Sequence, residues 1–433
     1  MGSAEWLARD AAAVWHPFTQ QSFWLGDEPT VVDRAEGPWL FDVDGRRYLD
    51  GVSSLWVTTF GHREPEIDAA IVAQLGRLDH ATFLGATHVP GIELAEELLK
   101  TAPAGLNKVF YAGDGSSAVE VALKMAYQYS VQVGKPKPLF VHLKEAYHGD
   151  TLGAVSVGGI ELFHATYRPL LLQTVAIGSP GVRAEGQKPE ERAVEVVAEL
   201  EAVLRERGDE VCAIVVEPMV QAAAGMLTYD AHFLREARRL ATEFHTLLIC
   251  DEVATGIGRT GTMWAVEHAG IAPDLLTTAK GLTAGYLPLS AVLTTDAVYE
   301  AFLGAGRTFY HGHTYTANPL CCAAALANLR LIEERGLVAQ AAVLGERLGR
   351  MLGPLEHSDR VVEVRRLGTM TGVQVRSVGE RTGAAVCRAA RNRGVWLRPL
   401  DDTVILMPPL SLGEAETDML VGVLVEAINE VVP

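Results

Sequence analysis

The chemistry of this chain is concentrated in a lysine and an aspartate. Lys280 stands in TTAKGLTAG, after the apolar pair Leu275-Leu276 and before glycines at 281 and 285, and Asp251 closes the apolar run TLLICD. Most lysines and aspartates are solvated charges. These two fall where apolar strands give way to loops, which is where α/β sheets present ligand-binding groups. An amine in such a place can hold a carbonyl cofactor as a Schiff base, and a carboxylate can sit against a nitrogen of the cofactor's ring.

Other residues fall into line with this pair. Gly113, Gly115, Ser116 and Ser117 follow the strand-like NKVFYA. Free backbone N–H groups and hydroxyls where a strand turns into a helix make an anion site, although the same residues also make a plain glycine turn with a serine N-cap. Tyr147, after LFVHL, can stack on a planar cofactor with His148 and Asp150 as polar neighbours, or be a half-buried loop aromatic. Glu217 and Gln221 in VVEPMVQAAAG either bond to a phenolic oxygen or fix their own loop. His311 and His313 in FYHGHTYTANPL lack the further ligands a metal requires, and neither HExxH nor paired CxxC accompanies them. No metal is expected, and a tight glycine turn presenting Thr314 to a ligand is the reading taken. Arg398 in GVWLRPL can clamp a carboxylate bidentately or lie on the surface near Trp396. Each signal is weak alone, but their serial order is that of one cofactor site.

The elements that must position these groups follow from periodicity. Between about residues 107 and 295, NKVFYA, LFVHL, LQTVAI, VCAIVVE, TLLICD and LPLSAVLTT read as strands apolar on both faces. Ala118–Tyr129 and Arg192–Arg205 read as helices, the second through Val194, Val197, Leu200, Val203 and Leu204. The alternation predicts an α/β fold with a mostly parallel sheet covered on both faces. From about residue 330 the pattern changes to amphipathic helices and a hairpin or meander, VVEVRRLGTMTGVQV. The expected organisation is an N-terminal segment (1–60) packing on the small domain, a large domain (61–329) and a small C-terminal α+β domain (330–433). WLFDVDGRRYLDG reads as two strands about an Asp-Gly turn, and 179–192 as a mobile surface loop.

Composition narrows the function. The 433 residues are 48% apolar and 21% charged with a net charge of −17, which argues against nucleic acid or an anionic membrane as the main partner. Cys212, Cys250, Cys321, Cys322 and Cys387 are odd in number, and free thiols in a reducing, cytoplasmic setting are expected. The opening MGSAEWLARDAAAVWHP carries charges and has no apolar core of a secretory signal. The stretch from Thr308 to Ala327 lacks acidic and basic residues, but its two histidines, asparagine and proline speak against a membrane span.

LLICDEVATGIGRTG and PDLLTTAKGLTAGYLPLSAVLTT together resemble the signature of the class III aminotransferases, within the fold-type I pyridoxal-phosphate enzymes. That resemblance implies a mostly parallel seven-stranded sheet and pyridoxal 5′-phosphate as cofactor. It also implies that Lys280 carries the cofactor, Asp251 pairs with its ring nitrogen, Gly115 and Ser116 hold its phosphate and Tyr147 stacks on its ring. Gly312, His313 and Thr314 would serve the site of a neighbouring subunit, making a homodimer. Arg398 would bind the carboxylate of a keto acid, and Leu55, Trp56 and Phe18 would line the substrate wall. WHPFTQ, SSLWVTTFGH, ATFLGATHVP and YHGHTYTANPL extend the likeness to members that aminate 8-amino-7-oxononanoate in biotin synthesis, with S-adenosylmethionine as donor. The chain departs from adenosylmethionine-using members at Phe18 and Ile405 (tyrosines there), Leu55-Trp56 (a Trp pair) and Gly312-His313-Thr314 (Gly-Pro-Thr). L-lysine therefore stays open as donor, as does another ω-transaminase activity.

Overall fold

The structure is a computed structural model describing residues 1–433, apart from the side chain of Leu25. Seven strands form the large sheet: β1 (Leu106–Ala112), β2 (Leu139–Leu143), β3 (Thr174–Ile177), β4 (Val211–Val216), β5 (Leu247–Asp251), β6 (Leu275–Thr278) and β7 (Ser290–Thr295). Their order is β1-β7-β6-β5-β4-β2-β3. β7 runs antiparallel to both β6 and β1, and the neighbouring pairs among β6, β5, β4, β2 and β3 are parallel. The central strands are buried along their length: every residue of β2, β4 and β6 is inaccessible or nearly so. A sheet buried on both faces requires this continuous apolar character, and the expected mostly parallel sheet is borne out.

Helices cover the two faces. α1 (Gly115–Gln132) buries Ala118, Val119, Ala122 and Ala126 against one face. α2 (Pro189–Arg207) and α3 (Ala231–Glu243) pack on the other through Val196, Leu200, Phe233 and Leu240. Both predicted helices start about a turn earlier and end later than expected. α2 buries Ala193 and Val196, whereas Val194, one of the residues taken for its apolar face, is 55% exposed. The expected loop 179–192 is also corrected. Ser179, Pro180 and Gly181 are buried, Ser179 hydrogen-bonds Gln221, and helix α2 already begins at Pro189.

A second sheet of four antiparallel strands, Val361–Leu367, Met370–Val375, Thr403–Leu406 and Arg398–Leu400, lies towards the C-terminus. The helices Leu337–Leu352, Thr382–Asn392 and Glu414–Val431 accompany it, and Leu344, Leu348, Val373, Val386 and Leu424 share one core. Near the N-terminus, Val32–Glu36, Trp39–Asp42 and Arg47–Asp50 form an antiparallel sheet, which Val395–Trp396 joins in parallel beside Arg47–Asp50. Leu49 is buried in the same core as Leu344 and Leu420. The turn after Asp42 places Gly45 at φ +84°, a conformation glycine adopts without a Cβ clash.

Burial of this kind has a measurable weight. Leu276 is fully inaccessible in β6, one strand from Asp251. Replacing a buried leucine by alanine costs about 2–5 kcal/mol in lost transfer energy and cavity. Leu276→Ala is expected to lower the urea midpoint by a corresponding amount, and an unchanged midpoint would contradict this account of the core.

Candidate active site

Five loops converge where the parallel strands end. Asp251 is the last residue of β5, and Lys280 follows β6 by two positions. The turn Gly113–Ser116 follows β1, Tyr147 and His148 follow β2, and Glu217 follows β4. These residues, with Trp56 and the segment Tyr286–Leu289 before β7, line a cavity of about 670 Å³. Ligand-binding groups of an open α/β sheet gather at the carboxyl ends of its strands, and the polar residues of this cavity stand there.

Lys280 lies at φ +31°, an uncommon conformation for a residue with a side chain and one that active sites tolerate when their surroundings enforce it. Burial lowers its pKa from the usual lysine value, while the charges of Asp251 and Glu217 act the other way. Its Nζ is 5.6 Å from the centre of the Trp56 ring.

Asp251 is fixed by three donors. Its Oδ2 is 2.7 Å from Nδ1 of His148, and its Oδ1 accepts from Thr277 Oγ1 at 3.0 Å and from the N–H of Val253 at 3.0 Å. Burial disfavours the charged form of His148, but the hydrogen bond to Asp251 and that residue's charge outweigh it, and the pKa is raised. Nε2 of His148 is buried without a partner. Glu217 takes a different part. Its two oxygens accept from the N–H groups of Tyr147 (3.1 Å) and Ala222 (3.0 Å), and burial pushes its pKa up to about 7. Gln221 is not among the residues lining the cavity. It is inaccessible and bonds to Ser179 and, at 2.8 Å, to the carbonyl of Lys144, so of its two readings the structure supports loop fixing.

The anion turn is built as a cradle. Helix α1 opens at Gly115, and its N-cap is Asp114, whose carboxylate accepts from the N–H of Ser117 at 2.8 Å. The cap is thus an aspartate and not a serine. The first turn of a helix has N–H groups without intrahelical partners. A Cβ on Gly115 would lie 2.7 Å from Cγ1 of Val253, so any larger residue there requires Val253 to shift. Ser116 Oγ is 2.7 Å from Thr151 Oγ1 and accepts from the N–H of Thr151 at 3.1 Å.

Tyr147 is half-buried, donates to Asp150 Oδ2 at 2.9 Å, and has its pKa raised by burial. Its ring meets Phe163 edge-on at 5.9 Å, and Phe163 meets Phe18 at 5.5 Å. Phe18 itself is 61% exposed. Arg398 is half-buried near Tyr147, and burial lowers its pKa while the tyrosine's charge opposes the shift. Neither Phe18 nor Arg398 is among the residues lining the cavity, and neither are Gly312, His313 and Thr314. Those three are exposed, in a loop that runs beside α1, where Lys124 Nζ is 3.1 Å from Nδ1 of His311. Among the described residues no group of three His, Cys, Asp or Glu could hold a metal ion.

Ile405 does not reach the cavity. It is inaccessible in the large core and is the cross-strand partner of Arg398. Several site residues escaped the sequence reading. Thr151 directly follows the AYHGD motif and Thr277 lies on Lys280's own strand, so position gave some signal for both. Arg259 lies within the LLICDEVATGIGRTG motif, but nothing local indicated its role. It is inaccessible, donates to the carbonyls of Pro408 (2.7 Å) and Thr58 (2.8 Å), and has its pKa pushed down by burial to about 9.

The family model Aminotransferase class-III matches residues 24–428. The chain belongs to the class III aminotransferases. An adenosylmethionine-8-amino-7-oxononanoate aminotransferase of Nitratidesulfovibrio vulgaris is 48% identical to this aminotransferase over 429 residues, covering 95% of this chain and 79% of its own. The crystal structure of the enzyme of that name from Methanocaldococcus jannaschii superposes with a TM-score of 0.94 at 38% identity, covering 99% of this chain and 100% of that one. An amine transaminase from an uncultivated Pseudomonas species, crystallised with pyridoxal phosphate bound, gives 0.91 at 34% identity, covering 96% and 98%. The cofactor of the class is pyridoxal 5′-phosphate, and the residues of this aminotransferase fit it. A dianion suits the N-terminus of α1 with the Ser116 and Thr151 hydroxyls, an aldehyde suits the amine of Lys280, and a protonated ring nitrogen suits the fixed carboxylate of Asp251.

The raised pKa of Glu217 has a consequence for stability. A carboxyl that ionises near 4.5 unfolded and about 7 folded binds more protons in the native state over that interval, so its contribution is present below pH 4.5 and is lost as pH rises to about 7. The 2.5-unit difference corresponds to at most about 3 kcal/mol. Glu217→Gln is expected to show a smaller fall in urea midpoint between pH 5 and 8 than the parent. Identical pH dependence of the two proteins would refute the assignment.

Proposed function

We propose that this enzyme transfers an amino group to the ketone of 8-amino-7-oxononanoate, giving 7,8-diaminononanoate, with S-adenosylmethionine as the donor. The observation that carries this reading is the 48% identity over 95% of the chain to an enzyme of that name, joined to a cavity in which Lys280 and Asp251 stand at adjacent strand ends. In this reading Lys280, Asp251 and Tyr147 are the catalytic residues. Gly115, Ser116, His313 and Thr314 hold the phosphate, and Phe18, Leu55, Trp56, Gly312 and Arg398 meet the substrates.

Pyridoxal phosphate, when bound, supplies an electron-accepting ring that makes the carbon beside an amino group acidic. Lys280 has the properties of the proton carrier. Its lowered pKa raises the share of neutral amine near neutral pH, and an amine so tuned takes a proton from carbon and returns it. The carboxylate of Asp251 is oriented by His148 and Thr277, and a carboxylate so placed favours a cationic partner. Glu217 orients Tyr147 by accepting from its N–H. Arg398 offers a planar guanidinium to the carboxylate of the acceptor.

A homodimer is part of the same reading. Gly312, His313 and Thr314 stand away from their own chain's cavity, and Tyr310 and Tyr315 of that loop are 83% and 69% exposed. Exposed aromatics in one loop are characteristic of a surface that a partner covers. A cytoplasmic location is supported by five buried free cysteines, and among the described residues no helix is long and apolar enough to cross a membrane. The division at 60 and 329 is supported by the separate core about Leu348 and Val373, although Ile405, Met407 and Leu410 belong to the large core.

L-lysine remains the second donor reading, favoured by Phe18 in place of a tyrosine. Supplying 8-amino-7-oxononanoate with either donor and detecting diaminononanoate decides between them. Product from S-adenosylmethionine alone is expected; product from lysine alone would replace the donor, and product with neither would overturn the acceptor. Lys280→Ala is expected to lose both turnover and the cofactor adduct trapped by borohydride, and retained turnover would remove Lys280 from its role.

A further inference from the structure

One wall of the cavity is held in an unfavourable backbone conformation by residues outside the cavity. In the segment Asp50-Gly51-Val52-Ser53-Ser54-Leu55-Trp56, Ser53 has φ +51°, Ser54 φ +60° with ψ −90°, and Trp56 φ +65°. Three side-chain-bearing residues of four thus occupy the left-handed half of backbone space, where a Cβ clashes with its own chain. Such runs persist only where the surroundings over-determine them.

The restraint is the carboxylate of Asp50, which is inaccessible to solvent. Its Oδ1 accepts from the N–H of Val52 at 3.2 Å, and its Oδ2 accepts from the N–H of Ser54 at 2.7 Å and lies 2.9 Å from Nε2 of His62. His62 is itself pinned, since its backbone N–H and carbonyl pair with Gly37 at 2.7 and 2.9 Å. Further along, the N–H of Trp56 donates to the carbonyl of Val52 at 2.9 Å, and Ser53 Oγ donates to the carbonyl of Met407 at 2.7 Å. The buried guanidinium of Arg259 bonds the carbonyl of Thr58 beyond the turn and is supported by the charge of Asp50. The product of this arrangement is the placement of Trp56. Its side chain is 6% exposed and its ring stands 5.6 Å from Lys280 Nζ, while Leu55 projects at the rim.

We propose that Asp50, braced by His62, is a positioning residue of the amino-transfer site: it holds Ser53–Trp56 in its left-handed turn and thereby sets the position of the Trp56 indole over Lys280. Asp50 touches neither the cavity nor Lys280 and acts only through the turn. The inference deepens the amino-transfer reading and rests on it for its kinetic readout; the indole readout requires no substrate.

The test uses the holoenzyme and four variants: Asp50→Asn, His62→Gln, Ser54→Gly, and Asp50→Asn combined with Ser54→Gly. The Trp56 fluorescence is isolated by subtracting the spectrum of Trp56→Phe in each background, and borohydride trapping confirms equal cofactor loading. Asp50→Asn is expected to shift the Trp56 signal and raise KM for the acceptor by about tenfold or more, with a smaller change in kcat. His62→Gln is expected to do the same to a lesser degree. Glycine adopts positive φ without the clash, so Ser54→Gly alone keeps the Trp56 signal, and in the double variant it returns signal and KM towards the parent values. An Asp50→Asn protein with unchanged Trp56 signal would overturn the proposal. So would a loss of stability and kcat that Ser54→Gly does not relieve, because a purely structural carboxylate would not be rescued by freeing the turn. Should the acceptor prove to be another molecule, the indole shift and its glycine rescue still decide the matter.

Discussion

The site depends on how buried negative charge is distributed among three carboxyl groups. Asp251, Glu217 and Glu252 all lie within the apolar interior, 1–4% exposed, and three such groups cannot all ionise there without compensation. The protein directs its donors unequally. Asp251 receives an imidazole, a hydroxyl and a backbone N–H. Glu217 has two backbone N–H groups, and Glu252 has Thr255 Oγ1 and the N–H of Val266. Burial raises both glutamates to about 7. The side-chain donors are therefore concentrated on Asp251, beside the strand that leads to Lys280. Burial lowers the pKa of the Lys280 amine, and the charges of Asp251 and Glu217 oppose that shift.

That distribution requires a scaffold that is itself neutral and rigid. The central strands have side chains packed on both faces, so they leave no room for charge except at their ends, and the parallel arrangement brings those ends to one edge. The start of α1 adds unpaired N–H groups at the same edge, giving an anion site opposite the carboxylate site. β7, running against its neighbours, contributes the approach to its first residue, Tyr286–Leu289, and closes one side. The N-terminus of α1 and the carboxylate of Asp251 thus stand at the ends of different strands of one sheet.

Much of this edge was legible in the sequence because its signals are local. Lys280 and Asp251 end apolar runs, and Gly115-Ser116 opens a helix, so chain position alone places them. The strands of the sheet were legible for the same reason. Where the structure departed, long-range packing was responsible. Val194 fits a helical stripe but faces solvent, because the sheet meets the neighbouring side of α2. Residues 179–181 look like a loop by composition, yet they pack beneath Gln221. Ile405 stood out by comparison with related sequences, but its strand places it in the large core. Nothing local indicated the roles of Arg259 and Asp50, since their partners are backbone carbonyls and N–H groups that only the folded chain brings near.

The residues assigned to the cofactor and those assigned to the substrates stand on different parts of the fold. Lys280, Asp251, His148 and the Gly113–Ser116 turn stand on the large sheet and its first helix. Phe18, Leu55, Trp56 and Arg398 stand on the N-terminal segment, on a turn held by Asp50, and on a strand of the C-terminal sheet. None of the second group hydrogen-bonds Asp251, whose partners are His148, Thr277 and Val253. The aromatic series Phe18–Phe163–Tyr147 and the Trp56 ring 5.6 Å from Lys280 Nζ link the two groups, and Tyr147 continues the first link to Asp150 and Glu217.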